Sequence, residues 1–370
     1  MKILVTGSKG FVGKNLIAEL KNKGYTDILE YDVDTEPALL NEYAGECEFI
    51  YHLAGVNRPQ DEQEFMAGNY GFTLTLLETL QKYNNKAPLL LTSSIQAELD
   101  NPYGHSKKAG EDLLNTYGTT QGIRTMIYRL PNLFGKWARP NYNSVVATFC
   151  HNIANDREIK INDPKAELRL AYIDDVVNEF IAALESKENR NPDGFCYIHK
   201  IYQTTVGQLA EKLLAFKTNR RTLIMPSLLD DFDRALYATL SSYFPENDFS
   251  YTLDMKRDDR GWLAEFVKST SFGQIFISKT KPGITRGNHW HHTKVEKFLV
   301  IQGQAVIKFR KIDSHELIQY HVNSDKLEVL DIPVGYTHSI TNTGDTELIT
   351  LFWAGETFNA EKPDTYYLEA

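Results

Sequence analysis

Cysteine is scarce: only Cys47, Cys150 and Cys196 occur in 370 residues, far apart and without a Cys-x-x-Cys pair. That count gives no disulfide framework and favours a reduced, cytoplasmic protein over a stapled, secreted one. Positive charge is in deficit too, with 40 Lys+Arg against 49 Asp+Glu and a net charge of −9. Duplex nucleic acid and anionic membranes need a cationic footprint, so neither is an expected partner. Long apolar runs are missing. No stretch approaches the ~18 residues of a spanning helix, and Gly7, Ser8 and Lys9 interrupt the first apolar run before a signal core can form. Repeats and low-complexity tracts are absent as well. What is there is ordinary folded composition, 42% hydrophobic and 24% charged, in a length that suits two or three domains.

The first half alternates short apolar runs with helical patterns. Strands are expected at Lys2–Thr6, Asp27–Tyr31, Phe49–Leu53, Leu89–Ser93 and Thr125–Leu130. Helices are expected over Gly13–Lys23 and Phe72–Tyr83, the latter with Leu74, Leu77 and Leu80 inward. Such alternation describes a parallel sheet covered on both faces. From about 132 to 243 the pattern is less regular, with helical pieces such as Val176–Leu184 and Val206–Phe216. Beyond Pro245–Asp248 the texture changes to short alternating runs, among them Gln274–Lys279, Phe298–Ile301, Ala305–Arg310 and Glu347–Trp353. Turns every 8–12 residues or so make this part an all-β sandwich or barrel. The expected division is 1–245 and 246–370.

Gly7, Gly10 and Gly13 follow the first strand and open a helix. Glycines there let the backbone turn tightly and approach a pyrophosphate, whose charge the helix N–H groups hold. A lone glycine triplet is a weak signal, but Asp32 ends the second strand, where a carboxylate can accept from a ribose hydroxyl. Tyr103 and Lys107 are four apart and so share a helix face. An ammonium beside a phenol should lower its pKa from ~10 and make it a usable proton carrier. Ser93 and Ser94 end the preceding strand, where a hydroxyl can meet a substrate carbonyl.

With these residues the chain resembles the extended short-chain dehydrogenase/reductases over roughly 1–245. The likeness rests on the three glycines, His52-Leu53-Ala54-Gly55, Asn69, Thr92-Ser93-Ser94, Tyr103-Gly-His-Ser-Lys107, Arg129-Leu-Pro-Asn-Leu-Phe-Gly135 and Tyr172-Ile-Asp-Asp-Val176. It implies a Rossmann-type doubly wound sheet, a sugar-binding subdomain at about 135–245 and a nucleotide-sugar substrate. It further implies a nicotinamide held by Gly7, Gly10, Phe11, Val12, Gly13, Asp32, Leu53, Ala54, Gly55, Tyr103 and Lys107. Ser94 would orient a carbonyl, Tyr103 would protonate it, and Lys107 would hold the ribose. The connection from Ser94 to Tyr103 is shorter than in many members. Asp32 speaks for NADH; biosynthetic use speaks for NADPH, which is the expected reductant with NADH left open.

Six of the ten histidines fall between His289 and His338. Two strings stand out: Gly283, His289-x-His291, Glu296 and Gly303, then Pro333-x-Gly335-x-x-His338-x-x-x-Asn342. In a strand His289 and His291 point to one face, with Glu296 and His338 arriving from two others. Three imidazoles and a carboxylate suit a divalent metal, zinc foremost among Zn, Fe, Ni and Mn. Both strings are similar to the two cupin motifs, which implies a small all-β barrel over 246–370. Asp259-Arg260-Gly261-Trp262 and Arg286-Gly287-Asn288-His289 also resemble cupin-type deoxysugar epimerases, whose histidine at the place of His289 removes a proton beside a sugar ketone. One lone pair cannot serve both metal and proton. Metal binding is therefore weighted above base for His289, with Lys297, Tyr336 and His292 left as other bases.

A sugar reductase joined to such a cupin resembles the two-domain enzymes of surface-polysaccharide assembly. The resemblance implies C3 epimerisation of a UDP-activated 4-keto-6-deoxy amino sugar, then NADPH reduction at C4, towards UDP-N-acetyl-L-fucosamine. The order is chemical: the ketone acidifies the C3 proton, and reduction removes that activation. The other readings are a single-activity reductase with a metal-stabilised binding or dimerisation module, and, last, an oxygenase. A homodimer through the β part is expected from its edge strands.

Overall fold

The structure is a computed structural model describing residues 1–370. It forms two compact units, one of Met1–Leu213 with Asp231–Pro245, the other of Leu214–Asp230 with Glu246–Ala370.

The first unit is built on β1 (Ile3–Thr6), β2 (Ile28–Tyr31), β3 (Phe49–His52), β4 (Leu89–Ser94) and β5 (Thr125–Leu130), all parallel in the order β2-β1-β3-β4-β5. Alternation along each strand feeds two cores. Ile3, Val5, Tyr51, Met126 and Tyr128 pack with Leu16, Ile17 and Leu20 of α1 (Phe11–Asn22). Leu4, Ile50, Leu91 and Ile127 face the other way, towards the helices α2 (Leu39–Glu46) and α4 (Phe72–Lys82). On α4 the buried leucines are Leu76, Leu77 and Leu80, so Leu76 takes the place expected of Leu74. Since β2 and β3 flank β1 on opposite sides, the chain reverses direction across the sheet there. A crevice opens at such a switch point, outside the carboxyl ends of the strands.

Between β3 and α4 lie a short α3 (Gln63–Phe65) and a π-helical turn over Met66–Gly71. The long α5 (Pro102–Gln121) has clear start and stop signals. Asn101 Oδ1 accepts from Gly104 N at 2.8 Å, Pro102 opens the first turn, and Gly122 ends the helix at φ 64. A small sheet of β6 (Asn132–Phe134), β7 (Glu167–Tyr172) and β8 (Tyr202–Thr205) follows, with α6 (Val145–Ala154), α7 (Ile173–Leu184), α8 (Val206–Thr222) and α9 (Asp231–Ser241).

Apart from the last turns of α8 and the segment that follows them, the second unit is built of β-strands. One sheet runs β16 (Val329–Ile332), β13 (Glu296–Gln302), β18 (Leu348–Ala354), β11 (Gly273–Thr280), β10 (Gly261–Ser269), β9 (Met255–Asp258). The other runs β15 (Leu317–Asn323), β14 (Gln304–Lys311), β17 (Tyr336–Asn342), β12 (Thr285–Trp290), β19 (Tyr366–Tyr367). All pairings within them are antiparallel. Phe298, Val300, Ile307, Phe309, Ile340 and Phe352 form its core. Phe276 and Phe352 stack with centroids 4.8 Å apart, as offset aromatic pairs do. Leu223 and Met225 join this unit by backbone bonds to Lys268 on β10.

Candidate functional site

In the first unit a cleft of about 1310 Å³ runs along the carboxyl ends of β1, β3 and β4. Gly7, Gly10, Phe11, Val12, Gly13, Asp32, Leu53, Ala54, Gly55, Ser94, Tyr103 and Lys107 all line it. The loop after β1 is as tight as its glycines allow. A Cβ on Gly13 would sit 2.3 Å from Gly7 O, and one on Gly7, at φ 69, would meet the Ala54 backbone at 2.8 Å. Helix α1 begins after Gly10 with no side-chain cap and no acid in its first turn. Its leading N–H groups are therefore available to an anion such as a pyrophosphate. Asp32 accepts from Lys9 N at 2.7 Å and from Val33 N at 2.8 Å, which fixes its carboxylate beside the loop. The residues fit a dinucleotide.

Tyr103 and Lys107 share one face of α5, as the spacing predicts, but their electrostatics differ from expectation. Lys107 Nζ lies 5.9 Å from the Tyr103 ring centroid and donates to Thr92 O at 3.3 Å. Burial pushes the Tyr103 hydroxyl above its usual range, and contact with Ser94 opposes this only in part. Tyr103 is thus a protonated phenol at neutral pH. Burial lowers Lys107 itself to about 8, with Glu111 opposing the shift.

Two neighbours, Asn57 and Glu111, escaped the sequence reading, which named Asn69, Ser93 and Arg129. Tyr103 Oη donates to Asn57 Oδ1 at 2.8 Å. Asn57 follows Val56, whose N–H and C=O are both held by the Asn69 amide at 2.9 and 3.0 Å. Asn69 sits in the π-helical turn, a local irregularity often found at functional sites. Ser93 donates to the fully buried Glu111 at 2.6 Å, and Arg129 pairs with the same carboxylate at 2.9 and 2.6 Å. That network anchors the end of β4, so Ser94 is held at the cleft. Its Oγ accepts from Gln96 N at 3.1 Å, leaving its own O–H to donate elsewhere. Trp137 and Arg139 also line the cleft, and nothing in their local sequence marks them.

In the second unit His289, His291, Glu296 and His338 come together, one ligand atom from each lying within 4.8 Å of the others. His289 ends β12, Glu296 starts β13, and His338 faces His289 across the β12–β17 ladder. A register shift at Asn288, with φ 59, re-aims the histidine end of β12. Burial and the neighbouring imidazoles lower His289 to about 4, so it is neutral and its lone pair is free. Burial would raise the Glu296 carboxyl, but His291 and His338 outweigh that and hold it at about 2. His338 Nδ1 is buried without a hydrogen-bond partner, and its Nε2 has only the Glu296 carboxylate, 3.4 Å away. Three imidazoles converging on one carboxylate fit a divalent cation.

The other bases separate clearly. Lys297 is on the opposite pleat from Glu296 and pairs with Asp331 at the surface. The His292 ring packs on Trp290 and Tyr366. Only Tyr336 shares with His338 the inward face of β17 and the core.

Comparison with known proteins agrees with this anatomy. Residues 3–196 match the NAD dependent epimerase/dehydratase family, to which the chain belongs, and residues 256–366 match the polysaccharide biosynthesis C-terminal domain. More particularly, the chain is CapF-like. It superposes on the crystal structure of the capsular polysaccharide assembling protein CapF from Staphylococcus aureus with a TM-score of 0.95, at 48% identity and 100% coverage of both chains. A Pseudomonas aeruginosa relative, UDP-2-acetamido-2,6-beta-L-arabino-hexul-4-ose reductase, is 44% identical across 99% of this chain and 98% of its own. The Bacillus subtilis spore coat polysaccharide biosynthesis protein SpsL is 30% identical over 117 residues, 29% of this chain and 78% of its own.

Proposed function

We propose that the chain is a bifunctional nucleotide-sugar enzyme of capsular polysaccharide synthesis. The second unit, read as a cupin barrel, epimerises C3 of a UDP-4-keto-6-deoxy-N-acetyl-hexosamine. The first then reduces the C4 ketone, towards UDP-N-acetyl-L-fucosamine. The observation that carries the reductase half is the protonated Tyr103 hydroxyl in the wall of the glycine-loop cleft, with Ser94 in contact and Lys107 one turn on. The substrate class is supported by what the names of the Pseudomonas and Staphylococcus relatives say of those proteins.

Bound nicotinamide supplies the hydride. Ser94 donates its hydroxyl proton in a hydrogen bond to the ketone oxygen, and Tyr103 transfers its phenolic proton to the same oxygen as charge develops there. The Lys107 ammonium then stabilises the phenolate that remains. NADPH is the reductant of this reading, on biosynthetic grounds. Asp32 is the feature that opposes it, since its carboxylate suits a ribose hydroxyl better than a phosphate.

A divalent ion, zinc first by its ligand set, would supply a Lewis acid at His289, His291, Glu296 and His338. His289 is then a ligand and not the base. In this reading Tyr336, on the same inward face as His338, takes the C3 proton as its phenolate, and a proton from solvent returns to the opposite face of the enolate.

One experiment tests the whole: product NMR with the metal-loaded protein and the UDP-4-keto sugar in deuterated buffer. Without nicotinamide, C3 should acquire deuterium; with NADPH, C4 should become a carbinol. Tyr103→Phe should keep C3 exchange while C4 reduction falls roughly 10²–10⁴-fold. C4 reduction without C3 exchange would leave only the single-activity reductase. A kcat/KM ratio favouring NADH by more than about tenfold, or 1.4 kcal/mol, would replace NADPH in the scheme.

A further inference from the structure

The last eight residues, Pro363–Ala370, have no part in the chemistry above, yet they are bound to the metal-bearing strand. Tyr366 and Tyr367 pair with Trp290 and His289, and Leu368 N donates to Asn288 O at 3.0 Å. Asp364 makes the densest set of bonds. Its Oδ1 accepts from His292 N at 3.0 Å, while Oδ2 accepts from Thr293 N and Lys294 N at 2.9 Å and Thr293 Oγ1 at 3.0 Å. Lys294 reciprocates: its buried ammonium donates to Pro363 O at 2.8 Å and Thr365 Oγ1 at 2.9 Å. Asp364 holds φ at 40, a left-handed conformation that persists only where its surroundings over-determine it.

A carboxylate with four donors would by itself be an ordinary turn brace. The Asp364 carbonyl makes it more. It lies 2.5 Å from His291 Nδ1. A carbonyl can only accept, so Nδ1 carries a proton and Nε2 is the nitrogen turned towards the cluster. Nε2 in turn stands 3.3 Å from Glu296 Oε2. A divalent cation seated among the four groups would take the Nε2 lone pair there. A residue 73 positions along the chain thus sets the tautomer of a metal-ligand histidine.

We infer that Asp364 is a positioning residue for the metal centre. Its side chain ties down the turn after His291, its carbonyl fixes the His291 tautomer, and the carboxy-terminal tail thereby presets the site for a divalent cation. This rests on the metal-centre reading above. Partners of this kind behind ligand histidines are typically worth 10–100-fold in metal affinity.

The test is zinc affinity by chelator competition on the full chain, together with thermal midpoints of the zinc-free and zinc-loaded forms. Asp364→Ala should weaken zinc roughly 10–100-fold, and Asp364→Asn, which keeps one acceptor oxygen, should fall between it and the wild type. The gap between the two midpoints should shrink in the same order. A purely structural brace would lower both midpoints equally and leave affinity unchanged, and that result overturns the inference. Should Asp364→Ala fail to fold, Lys294→Met loosens residues 363–365 from the opposite side and should weaken zinc several-fold; unchanged affinity there also overturns it. A wild-type chain that binds no zinc would instead bring down the metal reading itself, and the inference with it.

Discussion

Lys107 shows at the scale of one residue how burial sets chemistry. Desolvation lowers its ammonium to about 8, from the ordinary lysine value of 10.5. Catalysis needs the charged form, so the rate of C4 reduction should fall as pH rises through about 8. Lys107→Arg, which stays charged, should move that descending limb out of range, and a pH–rate profile reads both. Stability has the opposite sign. Between about pH 8 and 10.5 the unfolded chain holds the extra proton, so Lys107 favours the fold by up to ~1.4 kcal/mol more per pH unit through that window. That Tyr103 and Lys107 share a helix face was legible from helical spacing, and the histidine cluster from its two sequence strings. The acidity of Tyr103 was not, because burial is a property of everything packed around it. Asp364 was invisible for a related reason: it acts on His291 only after the chain has folded back from its far end.

Elements show the same division. Strand β5 begins and ends where the alternation places it, and β1 to β4 agree to within a residue. Strands β9 and β10 went unseen. Every residue of β9 is exposed, and a register shift between Glu265 and Val267 breaks the alternation of β10. The π-helical turn at Met66–Gly71 leaves no pattern either, since one wider turn is invisible to a 3.6-residue period. The glycine loop is the opposite case, where sequence and geometry coincide. Gly13→Ala would place a Cβ 2.3 Å from a backbone carbonyl that cannot swing away. Fluorescence titration should show nicotinamide binding lost, and chemical melts a destabilisation of about 1–3 kcal/mol.

For the whole molecule, the edge strands of the second unit carry Leu317, Ile318 and Tyr320 on β15 and Val329 on β16, all exposed. Unprotected apolar edges invite pairing, and closed two-fold pairing satisfies them most simply. Light scattering at micromolar concentration should therefore give a dimer of 42.3 kDa chains; a monomer would remove that proposal. The change of texture near Pro245–Asp248 lies where the chain passes from Pro245 of one unit to Glu246 of the other. The excursion of Leu214–Asp230 was not readable, because that segment's partner on β10 comes from tertiary pairing.

That excursion bears on how such a chain could have arisen and how it could be taken apart. The backbone passes from one unit to the other at Leu214, returns at Asp231 and leaves again at Glu246. A gene fragment starting at codon 246 would lack the segment that bonds to Lys268, and its complement would carry an orphan with nothing to pair with. End-to-end fusion of two independent genes does not by itself produce this threading. No single cut in the chain separates the two units with all of their own residues.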